Sequence, residues 1–446
     1  DKMLFASEMK AIFSAGIQKR VSDQMIYKYL VYDVVENPKD KSETFFKEIC
    51  QLPPSSFIKV NLEGEMSITK YWEIDLNKKS NLSLSEAKEK FTELFDKSVT
   101  MRLRSDVKVG SSFSGGLDSS SIVGSILNQS NPIKLNTFTA RFDDKGYDEG
   151  DYVGLMTDRY SFNTNFCWPN DGLILDELDK IFYHQEEPFG STSIIAQWEV
   201  MKLAKNQNVT VLLDGQGADE TLAGYYKYFE PYLLEIYKSN RFEFTKQLKA
   251  IESNLSMTNV LSKRFFLGAN FPKILKGLGD TTRQFRMGNI APDLSSEYKE
   301  SFKKDQAPFQ SLSGLNDSLY ADTFQYGLGK LLRFSDRNAM AHSREVRLPY
   351  LSHELVEFAF SLPSSYKMQN GWSKLILRES MQDVLPKEIA WRKDKKGFQA
   401  PASWLQEKRV KTLVTESVNN LQQYGIIDKP TASKSWQYIM VNKLLS

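Results

Sequence analysis

The chain has little of what builds metal clusters, disulfide frameworks or membrane spans. Its 446 residues include two cysteines and three histidines. Cys50 and Cys167 lie far apart without CxxC spacing, and His184, His342 and His353 match no zinc pattern, so neither a disulfide framework nor a zinc site is expected. Scarce cysteine predicts a reducing, cytoplasmic setting. No run approaches the ~18 apolar residues of a membrane span, and the opening DKMLFASEMK lacks a basic stretch followed by an apolar one. Excess charge is missing too. With 58 Lys+Arg against 56 Asp+Glu the formal charge is +2, too balanced for the broad basic face that phosphate-backbone binding requires. Nucleic acid and membrane are therefore not expected partners, and an oligomer is left open. What remains is an ordinary globular composition, 41% hydrophobic and 12% aromatic, long enough for two or three domains.

The first 76 residues form one expected unit. Two short helix-like patterns lead into the alternating runs SFIKVNL and MSITKYWEI around Glu63-Gly64-Glu65, which predicts a hairpin. This unit reads as the tail of something larger. A polar stretch from Asn77 then opens a long helix running to about Leu103, with Phe91, Leu94, Phe95 and Val99 at helical spacing. From 77 to 226, β-rich runs (VKVGSSF, LNTFTARF, NTNFCW, VTVLL) alternate with longer helical ones. Strands separated by crossover helices imply a parallel sheet with helices on both faces, a doubly wound α/β domain. From 227 to 446 strand signals fade and a mainly helical part is expected.

Two strings carry chemistry. Ser114-Gly115-Gly116-Leu117-Asp118-Ser119 follows the strand VKVGSSF and precedes a helix. Its glycines let backbone N–H groups converge while the helix turns its positive end to the same place, which makes a phosphate cradle. No Walker lysine follows, so the loop suits the pyrophosphate end of ATP, with Asp118 available to Mg²⁺. The second string, Asp214-Gly215-Gln216-Gly217-Ala218-Asp219-Glu220, closes the strand VTVLL. Loops at the carboxyl ends of parallel strands share a crevice, so the two strings should face each other, with Asp219 as a second magnesium carboxylate. Glu220 belongs to that site or is merely a first-turn acid stabilised by the helix dipole. Two charged strings in the helical half, Arg333 to Pro349 and Arg392 to Phe398, read in isolation as ion-paired solvated faces. Gly327 to Leu331 reads as plain helix.

In this order the strings resemble the synthetase half of the glutamine-dependent asparagine synthetase family, whose siblings include β-lactam synthetase. The resemblance covers about residues 77 to 410, and residues 1–76 look like the remnant of an α+β glutaminase domain. It implies a pyrophosphatase-loop fold and ATP-dependent amidation of a carboxylate. An acyl-adenylate would form with release of pyrophosphate, and ammonia or an amine would then displace AMP. It implies ATP binding at Phe113, Ser114, Gly115, Gly116, Asp118, Ser119, Asp214 and Gly215, and a magnesium pair in Asp118 and Asp219. Lys395 would stabilise negative charge in the transition states, and Glu345 would orient a catalytic base. Two departures stand out. Gln216 replaces the Glu of asparagine-forming members and cannot act as a general base, which argues against aspartate as the acceptor and leaves another small-molecule or peptide carboxylate. Ser352 replaces a frequent Asp. The family's glutaminase needs a cysteine at the start of the mature chain, whereas position 1 is Asp. The resemblance therefore implies glutamine-derived nitrogen from an upstream portion that was cleaved, omitted or supplied separately, or else free ammonia. Two other readings are a nucleotide-binding scaffold without turnover and a pyrophosphatase-loop enzyme acting on tRNA.

Overall fold

The computed structural model describes residues 3–129, 134–255, 260–261, 265, 292–302, 314–394 and 397–446. Its centre is a five-stranded, all-parallel sheet built from β3 (Val109–Ser112), β4 (Asn136–Ala140), β5 (Asn163–Cys167), β6 (Val211–Leu213) and β7 (Glu345–Arg347), in the spatial order β5-β4-β3-β6-β7. The chain starts in the middle at β3, builds outward through β4 to β5, then returns to lay β6 and β7 on the other side. The order reverses between β3 and β6, where a crevice opens at the carboxyl ends of a doubly wound sheet. Register makes that crevice level, because Ser111 pairs with Leu213 and the loops beginning at Phe113 and Asp214 emerge side by side.

The helices follow from ordinary signals. Ser83 and Glu86 form a capping box at the start of the helix Leu84–Leu103, which buries Phe91, Leu94, Phe95 and Val99, as the spacing predicts. Helices Leu117–Leu127, Gly150–Arg159 and Ser193–Asn206 fill the crossovers between strands. The fifth strand corrects the expectation that strands end before 226. Glu345-Val346-Arg347 has no alternating run to announce it, and it is a strand because β6 supplies its backbone partners.

The hairpin is present as β1 (Ser56–Val60) and β2 (Met66–Lys70), with almost every residue exposed. Residues 23–50 behave differently. Ile26, Tyr29, Phe45 and Phe46 share one hydrophobic cluster with Phe189, Trp436 and Tyr438. Beside it the adjacent Glu186 and Glu187 clasp both parts of the chain. Glu186 accepts from the Lys10 backbone N–H at 2.5 Å and pairs with Arg337 at 3.1 Å. Glu187 accepts from the Phe45 N–H at 2.9 Å and pairs with Arg333 at 2.6 Å. Among the described residues no helix is long and apolar enough to cross a membrane.

Candidate active site

Glycine makes the first loop possible at one position above all. Gly115 has φ +80°, and a Cβ there would stand 2.8 Å from Tyr152 Cβ, so both backbone conformation and contact with the helix Gly150–Arg159 exclude side chains. Ser114 and Ser119 face each other across the turn at 3.2 Å, and the Gly116 N–H donates to Ser114 Oγ. The helix Leu117–Leu127 begins directly behind, so its positive end faces the cradle.

The second loop meets the first at Gly215. A Cβ there would stand 3.1 Å from Asp118 Cβ and 3.3 Å from the Ser119 nitrogen. Together the loops wall a cleft of about 390 Å³. Phe113, Ser114, Gly116, Asp118, Ser119, Asp214, Gly215 and Asp219 all line it, and Gly115 is not among the lining residues. An apolar flank comes from Phe138, Ala140, Ile194, Val200 and Leu331.

One residue in the cleft was not singled out from the sequence. The Lys374 ammonium bridges the two loops, donating to Asp118 Oδ1 and Oδ2 at 2.6 and 2.5 Å and pairing with Asp219 Oδ1 at 2.5 Å. Burial opposes its charge, but the two carboxylates outweigh burial and hold the ammonium above the ordinary lysine range. One turn later Arg378 also lines the cleft, anchored to the Ser373 and Ala390 carbonyls at 2.7 Å each. Two cations four positions apart in the apolar stretch Trp372–Met381 are the signal that would have found them, since buried cations are rare unless paired. Both Asp118 and Asp219 thus reach a common cation position. Two carboxylates in that arrangement suit Mg²⁺, which takes one or two carboxylates together with phosphate oxygens and waters. No cluster of three or more His, Cys, Asp or Glu forms a metal site among the described residues.

Burial pushes the Asp214 carboxyl up to about 6 despite the backbone N–H groups of Gly215 and Gln216. Burial, aided by the Asp219 charge, likewise pushes Glu220 up to about 7, and the Tyr225 hydroxyl donates to it at 2.7 Å. Glu220 is 3% exposed and lines the cleft, so it is no solvated first-turn acid. Gln216 Oε1 is buried in the wall with no hydrogen-bond partner among the described residues.

The two charged strings divide. Arg392 lines the cleft, paired with Glu149 at 2.6 Å and stacked over Tyr152, and Gly397 and Phe398 line it as well. Lys395, with Lys396, lies outside the described residues. Glu345 is not brought to the cleft. It sits opposite Val211, at the end of β7 away from the two loops, and its half-exposed carboxylate pairs with Arg347 at 2.6 Å. A parallel register places only the carboxyl ends of the strands at the crevice, so a residue at the amino end of β7 is directed elsewhere. Ser352 is the N-cap residue of the helix His353–Ser361, and its side chain makes no capping hydrogen bond. Burial pushes the Cys167 thiol up to about 12, away from the lowered range of reactive thiolates.

A family model described as Asparagine synthase matches residues 90–439, and one described as Glutamine amidotransferase domain matches residues 1–72. Asparagine synthetase (glutamine-hydrolyzing) 1 of Bacillus subtilis (strain 168) is 27% identical over 427 residues, covering 94% of this chain and 66% of the relative. Asparagine synthetase (glutamine-hydrolyzing) 3 of the same organism is 24% identical over 409 residues, covering 87% of this chain and 60% of the relative. Amidase chyE of Penicillium rubens (strain ATCC 28089 / DSM 1075 / NRRL 1951 / Wisconsin 54-1255) is 22% identical over 481 residues, covering 96% of this chain and 69% of that protein. The chain therefore spans just under two thirds of the length of the first of these relatives. Among solved structures, the U34-tRNA thiolase NcsA from Methanococcus maripaludis aligns over 58% of this chain and 82% of its own at 14% identity and a TM-score of 0.23, a likeness too slight to bear on function.

Proposed function

Since the chain belongs to the asparagine synthase family across residues 90–439, we propose that it is an ATP-dependent, AMP-forming ligase that amidates a carboxylate. A carboxylate oxygen of the acceptor attacks the α-phosphorus, and the bond to the bridging oxygen breaks as pyrophosphate leaves. Ammonia or an amine then adds to the acyl carbon, AMP departs with the electrons of the C–O bond, and the nitrogen sheds a proton. The observation that carries this reading is the meeting of Gly215 with Asp118 and Ser119, which puts the anion cradle and both carboxylates in one cleft.

The residues divide the work by their chemistry. The Ser114–Ser119 turn, at a helix N-terminus, receives the leaving diphosphate. Asp118 and Asp219 hold Mg²⁺, which when bound neutralises charge on the phosphates. The apolar flank suits an adenine ring, and Phe113, Asp214 and Gly215 pass beside the nucleotide. Lys395 would stabilise the developing negative charge, a contribution of ~100- to 1,000-fold in rate for a preorganised cation. Glu345 receives no catalytic part, because its position lies away from the cleft. Gln216 argues for an acceptor other than aspartate. Nitrogen arrives as ammonia or from glutamine, consistent with the amidotransferase match over residues 1–72. Synthetase chemistry is assigned to 77–446, with the nucleotide core at 77–226.

Incubation with ATP, Mg²⁺, ammonia and a panel of carboxylates tests this reading. Acid-dependent appearance of pyrophosphate and AMP is expected, whereas ADP and orthophosphate, or nucleotide binding with no turnover on any acid, would remove it.

A further inference from the structure

Lys374 stands where the proposed metal would stand. Its ammonium lies 2.5–2.6 Å from three oxygens of Asp118 and Asp219, and a magnesium ion sharing those carboxylates would lie about 2.0–2.1 Å from its ligands. Both cations cannot occupy one gap of that size, since their repulsion at such separation is large even in a polar medium. The surroundings are shaped for the lysine in place. Gly224 is bare because a Cβ there would collide with Asp219 Oδ1 and Lys374 Cε at once. Lys374 itself holds a left-handed backbone, φ 53° and ψ 36°, at the head of the helix Leu375–Met381, a conformation non-glycine residues adopt at a cost. Arg378, one turn on, pins that helix start to the Ser373 and Ala390 carbonyls.

Building on the ligase reading, we propose that Lys374 is a resident counter-ion of the metal site. It neutralises Asp118 and Asp219 before substrate binds, gives way to the divalent cation that accompanies ATP, and turns its ammonium to the phosphates in the neighbouring cradle. Without it, two carboxylates would face each other across a cleft wall with no ammonium bridging them. A lysine suits this exchange better than an arginine, being a compact charge on a flexible stem with no fork to hold it to one partner. The arrangement makes the site resist bare metal and accept metal together with phosphate, because only phosphate offers the displaced ammonium a new anion.

Two measurements test this. Mn²⁺ binding followed by electron paramagnetic resonance without nucleotide should tighten at least ~10-fold in Lys374→Met, while Lys374→Arg, which keeps the charge, stays near the parent. Thermal melts report whether each variant is folded. In the unaltered protein, the rate at which Lys374 is acetylated by a mild acylating reagent, read by mass spectrometry, should rise only at Mg²⁺ concentrations high enough to force the site without nucleotide, and fall again once ATP joins the metal. Unchanged or weaker Mn²⁺ binding in Lys374→Met, or an acetylation rate indifferent to Mg²⁺, would overturn the exchange while leaving the ligase reading standing. If Mn²⁺ fails to bind the parent even with ATP present, the metal site and the ligase reading fall together with this inference.

Discussion

Two carboxylate pairs in this molecule grip basic side chains, and their surroundings separate them. Glu186 and Glu187 are buried, take backbone N–H groups from residues 10 and 45, and hold the planar forks of Arg337 and Arg333. Asp118 and Asp219 lie in the first turns of the helices that follow the two loops, at the edge of a cleft, and hold the compact ammonium of Lys374. In the first pair the partners come from segments packed in or beside the hydrophobic core, so the charges act as a clasp. In the second, one side of the pair opens to a space where an ion and an anion can enter. Comparable chemistry thus serves structure or function according to whether its partner can be exchanged.

That contrast can be broken by experiment, beginning with the clasp. Glu187→Ala leaves Arg333 buried without its anion and should cost about 3–5 kcal/mol of stability, measured from the urea midpoint, with pyrophosphate release per folded molecule nearly unchanged. Next in size, Asp118→Asn should slow acid-dependent pyrophosphate release ~100- to 1,000-fold, about 3–4 kcal/mol in barrier, with little change in melting temperature. If the two variants exchanged their effects, the buried glutamates would be the functional pair and the cleft aspartates the structural one.

A smaller effect tests burial at the cleft. Because the folded carboxyl of Asp214 is raised from 3.8 to about 6, the native state keeps a proton that the unfolded chain releases, and its contribution to stability falls as pH rises through that window. Asp214→Asn removes this dependence, so the parent should lose stability relative to the variant between pH 4 and 6 and run parallel to it above. Urea unfolding at intervals across the range checks the sign. Smallest of all, Glu345→Gln breaks only a half-exposed pair with Arg347, and should shift stability by under ~1 kcal/mol with turnover within about twofold. A large loss of turnover would return Glu345 to the catalytic set.

The two loops were readable before any fold was known because each encodes its own backbone. Glycines, small hydroxyl residues and a carboxylate between a strand and a helix leave few conformations open. Lys374 was not readable in that way. It lies 256 residues from Asp118, within an apolar helical stretch whose spacing reports only burial. Glu345 shows the reverse case, since the family resemblance marks it while its register on β7 sets it opposite Val211, away from the two loops. The charged string from Arg333 reads as a solvated face, yet the loop at 186–187 folds beneath it and turns two of its arginines into the clasp.

Local chemistry was enough to specify the alternating strands and helices, the anion cradle and the carboxylates that flank it, because these depend on neighbours within a few residues. Which distant cation sits between those carboxylates, which strand closes the sheet and which charges are sealed inside were settled by packing in three dimensions. Coulomb attraction and desolvation depend on separation in space, and linear spacing carries almost no information about that.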